Sequence, residues 1–353
     1  MFNIFLPFTG IEINFFLLIS IGCLVGVLGG LFGVGGAWIA TPALNIFGFP
    51  MPYAIGTDFA QIFGKSIVAT TKHSKMGNVD FKLGLTTMIG TLPGVEIGSQ
   101  LVIYLEELGK KSGTDIIGVS VRWTYIIMLF LLSFFMFYDY LQLQKTRKKF
   151  TKLSSYTDIP DINKRKFIEK LKSINLPPYI SYPKSNITKI SVWYIFVIFF
   201  ICGFVSGFLG VGGGFIRMPS LIYLIGCPTA LAVGTDLFIV MIDGAYGCFS
   251  YAIKGRVEVI AAIIMLLGAA IGAQIGVIAV KYIRGYSIRL LFAFMILFAA
   301  ISISFKQFAS YSNNRILNEF SGIILIGCAS IMSLVIISML IYNYKKEAKI
   351  KIT

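Results

Sequence analysis

The sequence predicts an all-α polytopic membrane protein of about eight or nine transmembrane helices, in two internal repeats with glycine-broken helices. Three observations predict it. The 353 residues are 56% hydrophobic and only 13% charged, where a soluble domain carries about 25% charged residues. Mean hydropathy is +0.82. Long apolar runs recur along the chain without the period-2 patterning of a barrel strand, and in lipid a helix satisfies its own backbone. Finally, one glycine-rich sentence occurs twice. Gly33-Val34-Gly35-Gly36-Ala37-Trp38-Ile39-Ala40-Thr41-Pro42 and Gly210-Val211-Gly212-Gly213-Gly214-Phe215-Ile216-Arg217-Met218-Pro219 share G-V-G-G-x-x-I-x-x-P.

Apolar runs place spans over about 13–32, 38–72, 83–105, 122–143, 190–210, 215–253, 257–281, 287–306 and 320–343. The second and sixth are broken. Each holds a half-helix, a turn (Pro50–Pro52 in the first copy, Pro228 in the second) and a longer helix. The repeat runs on. Ala54-Ile55-Gly56-Thr57-Asp58 matches Ala232-Val233-Gly234-Thr235-Asp236, and Gly77-Asn78-Val79-Asp80 matches Gly255-Arg256-Val257-Glu258. Gly90, Gly94 and Gly98 match Gly268, Gly272 and Gly276. Four motifs in one order mark a duplication. The chain therefore divides into a first repeat (13–143), a basic cytoplasmic loop (144–189), a second repeat (190–306) and an extra C-terminal span with a basic tail (307–353).

The net charge of +15 accompanies no nucleic-acid motif. Much of it lies between spans, where Lys and Arg set orientation. The loops around Lys72–Lys82 and Lys254–Arg256 are both basic, which favours repeats of one orientation with the N-terminus inside. Lys345, Lys346, Lys349 and Lys351 conflict with that count, because five spans after the central loop put this tail outside. Inverted repeats stay open. The five cysteines sit in apolar sequence without a C-x-x-C pair and read as small buried hydrophobes. The first apolar run lacks a basic n-region and is expected to remain in the mature chain.

Glycine at every fourth position, as at 90, 94 and 98, suits close helix packing. Consecutive glycines followed by Pro42 or Pro219 suit an unwound stretch, although packing is the plainer alternative. An unwound stretch exposes half-helix N–H groups, which attract anions. The runs lack the Lys-Ser/Thr of a phosphate loop, and no cofactor is implied. A carboxylate at membrane depth is costly and functional by default, which singles out Asp58 and Asp236; an N-cap role is the competing account. Lys65 and Asp243 occupy equivalent positions, and their charges favour a pair across the repeats; the alternative is that Lys65 attracts the substrate while Asp243 answers a proton. Arg217 follows the second break, where it either binds an oxyanion or snorkels to the interface. Glu96 and Gln274 form another equivalent pair. His73, the single histidine, lies in a basic stretch and reads as solvated.

With these motifs the chain resembles the TauE/SafE family of sulfite exporters and related sulfonate-associated permeases over most of residues 13–306. The resemblance implies a multi-helix inner-membrane protein that moves sulfite, an organosulfonate or a related anion. It implies site-region roles for Gly35, Gly36, Gly212, Gly213, Thr57, Asp58, Thr235 and Asp236. The residues themselves add Lys65, Arg217 and Asp243. The expected partners are a small anionic substrate and the lipid bilayer, with a homo-oligomer left open. The expected function is gradient-driven transport. A non-transporting scaffold, in which the glycines and acids only pack helices, is the alternative, and an enzyme lacks a catalytic constellation.

Overall fold

The computed structural model describes residues 2–149, 176–283, 285–312 and 314–350. Most of the basic loop expected over 144–189 lies outside the described residues.

The elements follow one another in two matching series. In the first, a hairpin of β1 (Asn3–Leu6) and β2 (Ile11–Asn14) leads into α1 (Phe15–Phe32), α2 (Ala37–Ile46), α3 (Met51–Lys75), α4 (Phe81–Ser112) and α5 (Ile116–Lys149). In the second, a hairpin of β3 (Tyr179–Tyr182) and β4 (Ile187–Ser191) leads into α6 (Val192–Leu209), α7 (Gly214–Pro219), a wide turn (Ser220–Ile225), α8 (Thr229–Ile253), α9 (Val259–Tyr282) and α10 (Gly285–Ser312). The extra helix α11 (Arg315–Ile350) follows. Among the described residues, 8 helices are long and apolar enough to cross a membrane. The chain is an all-α polytopic membrane protein with broken helices in both halves.

Sequence chemistry starts and stops these helices. The Asn14 side chain accepts from Phe16 N and Leu17 N, capping two donors that open α1. At the other end Gly33 turns left-handed (φ 75°) and its N–H closes on Gly29 O. Gly210 ends α6 the same way, at φ 75° with its N–H on Ser206 O. Asp80 caps α4 by accepting from Leu83 N at 3.1 Å.

The two halves interlock. Helix α1 packs along α9, with Gly22, Gly26 and Gly30 set against the backbones of Met265, Ala269 and Ala273. Gly268, Gly272 and Gly276 meet α1 from the other side, against Ile19, Cys23 and Val27. The α4–α6 pair repeats this, with Gly90, Gly94 and Gly98 against Phe196, Phe200 and Phe204. In lipid, where apolar burial between helices gains little, such backbone contact is the main source of adhesion. The expectation of close packing at these glycines holds.

Hydrogen bonds between the halves determine direction. Phe8 N and Thr9 N, at the β1–β2 turn, donate to Glu258 Oε2 at 2.9 and 3.1 Å. Glu258 N in turn donates to Thr57 Oγ1 at 2.9 Å. The first hairpin, the start of α3 and the start of α9 thus share one face. On the opposite face Ser185 Oγ donates to Asp80 Oδ2 at 2.6 Å, and Asp80 N donates to Thr235 Oγ1 at 2.9 Å. Here the second hairpin meets the starts of α4 and α8. Since α1 and α6 begin on opposite faces, the repeats are inverted.

This corrects the expectation of one orientation. The span count treated 38–72 as a single crossing. Instead α2 runs back toward the first face, where Gly48 lies beside Ile11, and α3 crosses again. The second half does likewise, with Tyr194 Oη near the start of α6 donating to Leu224 O at 3.3 Å. Too short to cross, α2 and α7 bring the chain back to the face it left, so each half makes a net three crossings rather than four. The basic tail then falls on the face of the central segment, and its conflict with the charge rule disappears.

Inversion predicts that Lys75→Cys and Gly255→Cys, in a cysteine-free background, react with an impermeant thiol reagent from opposite sides of sealed vesicles. Same-side labelling would restore the parallel arrangement. Gly94→Leu is expected to cost roughly 1–3 kcal/mol or more through overpacking against α6, read as a lower unfolding temperature in detergent.

Candidate functional site at the glycine breaks

The two breaks meet at the middle of the molecule. Gly35 and Gly36 both have φ 72°, while Gly212 and Gly213 have φ 63° and 68°. A side chain at Gly214 would run into the backbone of Val34. Gly35 and Gly212 both lie against Ile62 of α3 and Val240 of α8, which are equivalent residues. Farther out, Gly33 lies against Val233 and Gly210 against Ile55. Each half therefore unwinds against the long central helix of the other, as well as its own.

Helical geometry then places the charges. At 100° per residue, positions i, i+4 and i+7 share a face. On α3 these are Asp58, Ile62 and Lys65; on α8 they are Asp236, Val240 and Asp243. All four charged side chains are buried, each no more than 2% exposed. The two halves treat them differently.

In the second half Arg217 carries the cluster. Its Nε donates to Asp236, one terminal nitrogen to Asp243 and the other to Gly212 O, with all three side chains at 0% exposure. Three of the five guanidinium donors are thus committed, and two carboxylates surround one cation. The position equivalent to Arg217 is Ala40, so the first half lacks this clamp.

In the first half Thr41 Oγ1 donates to Asp58 Oδ2 at 2.8 Å, leaving Asp58 Oδ1 without a partner. Lys65 Nζ donates to Gln61 Oε1 at 3.2 Å. An ammonium has three donors, so Lys65 holds two N–H groups in reserve. Gln61 Nε2 also lacks a partner. The expected pair of Lys65 with Asp243 does not form: Asp243 goes to Arg217, which sits closer in its own half.

The broken helices leave carbonyls to be satisfied. Tyr251 Oη donates to Gly207 O and Tyr125 Oη to Leu209 O, both at 2.8 Å, closing the end of α6. Thr57 and Thr235 accept from Glu258 N and Asp80 N, as described above, so their hydroxyls tie the repeats together at either face. Glu96 accepts from Tyr246 Oη at 3.1 Å and Ser250 Oγ at 2.9 Å, on the α4–α8 contact. Gln274 carries Lys72 Nζ on its carbonyl at 3.2 Å.

Some features escaped the sequence. His73, expected in solvent, is fully buried near the end of α3 against Gly234. Its position one helical face along from Lys65 was a usable signal. The five cysteines are free, two buried and three half-buried, as expected of small hydrophobes.

Residues 18–303 match the sulfite exporter TauE/SafE family. The chain belongs to this family. Its relatives include the probable membrane transporter protein YunE of Bacillus subtilis, 27% identical over 271 residues, covering 74% of this chain and 87% of YunE. A probable membrane transporter protein of Xylella fastidiosa (strain 9a5c) is 25% identical over 297 residues, 83% of this chain and 95% of that one. No solved structure matches the chain. This TauE/SafE member is a multi-pass membrane transporter, and its family and relatives point away from an enzyme.

Arg217→Gln should strand two buried carboxylates and cost about 3–5 kcal/mol, seen as loss of folded protein in detergent. The triple variant Arg217→Met, Asp236→Asn, Asp243→Asn removes the charges together and is expected to recover most of that loss. Equal loss in both would contradict a structural role for the clamp.

Proposed function

We propose that this TauE/SafE protein moves a small oxyanion of the sulfite or organosulfonate class, with protons coupled through its buried carboxylates. The observation that carries the reading is Lys65, a fully buried cation with two uncommitted donors, set beside Asp58 and the first glycine break. Asp58 balances the charge but makes no hydrogen bond to Lys65, and buried donors left unfilled at membrane depth are costly until an acceptor arrives. An oxyanion supplies such acceptors. Arg217 serves the second half as an internal counter-ion and holds the Gly212 carbonyl.

Sidedness follows from the basic residues. Lys72, Lys75, Lys82, Lys184, Lys189, Lys345 and the ends of the central loop all gather at the β3–β4 face. The positive-inside rule puts that face in the cytoplasm. The β1–β2 hairpin and the Gly255 loop are then outside.

Coupling rests on Asp58. Its Oδ1 has no partner, so it is free to take a proton as the anion leaves Lys65. Gly35, Gly36, Gly212 and Gly213 form the loops between which the anion passes.

The test is flux of labelled sulfite and a small sulfonate panel in proteoliposomes, with and without a pH gradient. Losing a charge-assisted hydrogen bond of about 1.5–3 kcal/mol, Lys65→Gln is expected to lower uptake roughly 10- to 100-fold at unchanged abundance. Asp58→Asn is expected to keep anion exchange and lose the response to the pH gradient. A protein that folds and inserts but shows no flux for any anion in the panel would instead favour the scaffold.

A further inference from the structure

A cavity of about 760 Å³ opens at the β1–β2 face, away from the glycine breaks. It lies among the ends of α2, α4 and α10 and the starts of α5 and α11. Its charged lining is Lys110, Arg122, Lys306 and Arg315 against Glu106 and Asp115, an excess of two positive charges. The acids are already engaged. Glu106 accepts from Arg256 and Lys110, both at 2.9 Å, and Asp115 from Arg122 at 3.3 Å. Arg122 is itself committed, donating also to Gln307 Oε1 at 2.6 Å and Asn45 Oδ1 at 3.3 Å. Lys306 differs. Its Nζ makes one hydrogen bond, to Asn318 Oδ1 at 2.6 Å, and the residue lines the cavity with two donors uncommitted.

A separate crevice of about 10 Å³ beside the cavity shares Asn45, Met51, Arg122 and Lys306 with it and is also lined by Pro42 and Tyr125. Pro42 adjoins Thr41, the residue bonded to Asp58. At the opposite face Tyr223 holds the position equivalent to Asn45. Tyr223, in the wide turn after α7, donates to Asp139 of α5, and the Phe135 ring meets Tyr223 edge-on at 5.2 Å.

We propose that this cavity is a docking site for a tetrahedral or pyramidal oxyanion, with Lys306 as the capturing residue. The proposal rests on the transport reading, for which it supplies the outer station of the anion's route. Its ligand is an –SO₃ or SO₄ head, and the crevice toward Pro42 must widen before that head passes on. Attraction by the net positive rim raises the local anion concentration and falls with ionic strength. An anionic lipid phosphate shares this chemistry, so the test separates the two.

The experiment uses the full chain, purified in lipid-free detergent, with Ser310→Cys in a cysteine-free background. Ser310 lines the cavity. Alkylation by neutral iodoacetamide is timed in sodium methanesulfonate, sodium sulfate, or sodium chloride of equal ionic strength. Either oxyanion should slow alkylation saturably, at least about threefold when two-thirds of sites are filled, and chloride should not. Lys306→Gln should abolish protection and Lys306→Arg retain it. Asn318→Asp, which gives Lys306 a fixed carboxylate, should weaken protection several-fold without altering the elution profile. Unchanged alkylation in both oxyanions, or protection that survives Lys306→Gln, overturns the proposal. Protection only in nanodiscs of anionic lipid also overturns it, since the cavity would then seat a headgroup. Protection without flux would leave the docking site standing and remove the transport reading; flux without protection would do the reverse.

Discussion

The contact between the two glycine breaks sets the terms for the rest of the molecule. Val34 backs onto Gly214, and Ile62 and Val240 fill the space beside Gly35 and Gly212. A Cβ at Gly214 would strike the Val34 backbone, and Gly35 and Gly212 need positive φ. Because the chain unwinds here, α2 and α7 can turn back rather than continue across. That reversal returns each repeat to its starting face before three full crossings, and the odd number inverts the second repeat relative to the first. The interlocked α1–α9 and α4–α6 pairs follow, since each entry helix then lies alongside the other half's glycine-rich helix.

On this near-symmetric frame the charges are deliberately unequal. In the second half Arg217 holds two carboxylates and a carbonyl of its own break, while Asp236 Oδ2 and Asp243 Oδ1 keep no hydrogen-bond partner. The first half leaves Lys65 and Asp58 with unfilled capacity at equivalent positions. An even pair of sites would bind alike on both sides.

Much of this was legible in the sequence, for definite reasons. Glycines repeated at a fixed offset announce duplication and unwinding because few other residues accept those backbone angles. Asp58 and Asp236 stand out because charge is rare in apolar runs. Direction was not legible, because Gly48–Pro50 looks the same whether it bends a span or reverses it. The hairpins were missed as well. Leu6-Pro7-Phe8-Thr9-Gly10-Ile11 holds only a few alternating residues beside a long apolar run, and their pairing is stabilised by Glu258, some 250 positions away. Partner choice was the hardest part. Lys65 and Asp243 have complementary charges, but only three dimensions show that Arg217 reaches Asp243 first. Likewise Thr57 and Thr235 read as ligands until Glu258 and Asp80 occupy them.

The most direct test of the account is to locate an anion rather than to measure its movement. Crystals or single-particle maps of the full chain soaked with selenite, an electron-dense analogue of sulfite, would show where it settles. The account predicts density against Lys65 beside the first glycine break, with Arg217 still bound to Asp236 and Asp243. Density against Arg217, with its carboxylates released and Lys65 unoccupied, would contradict it.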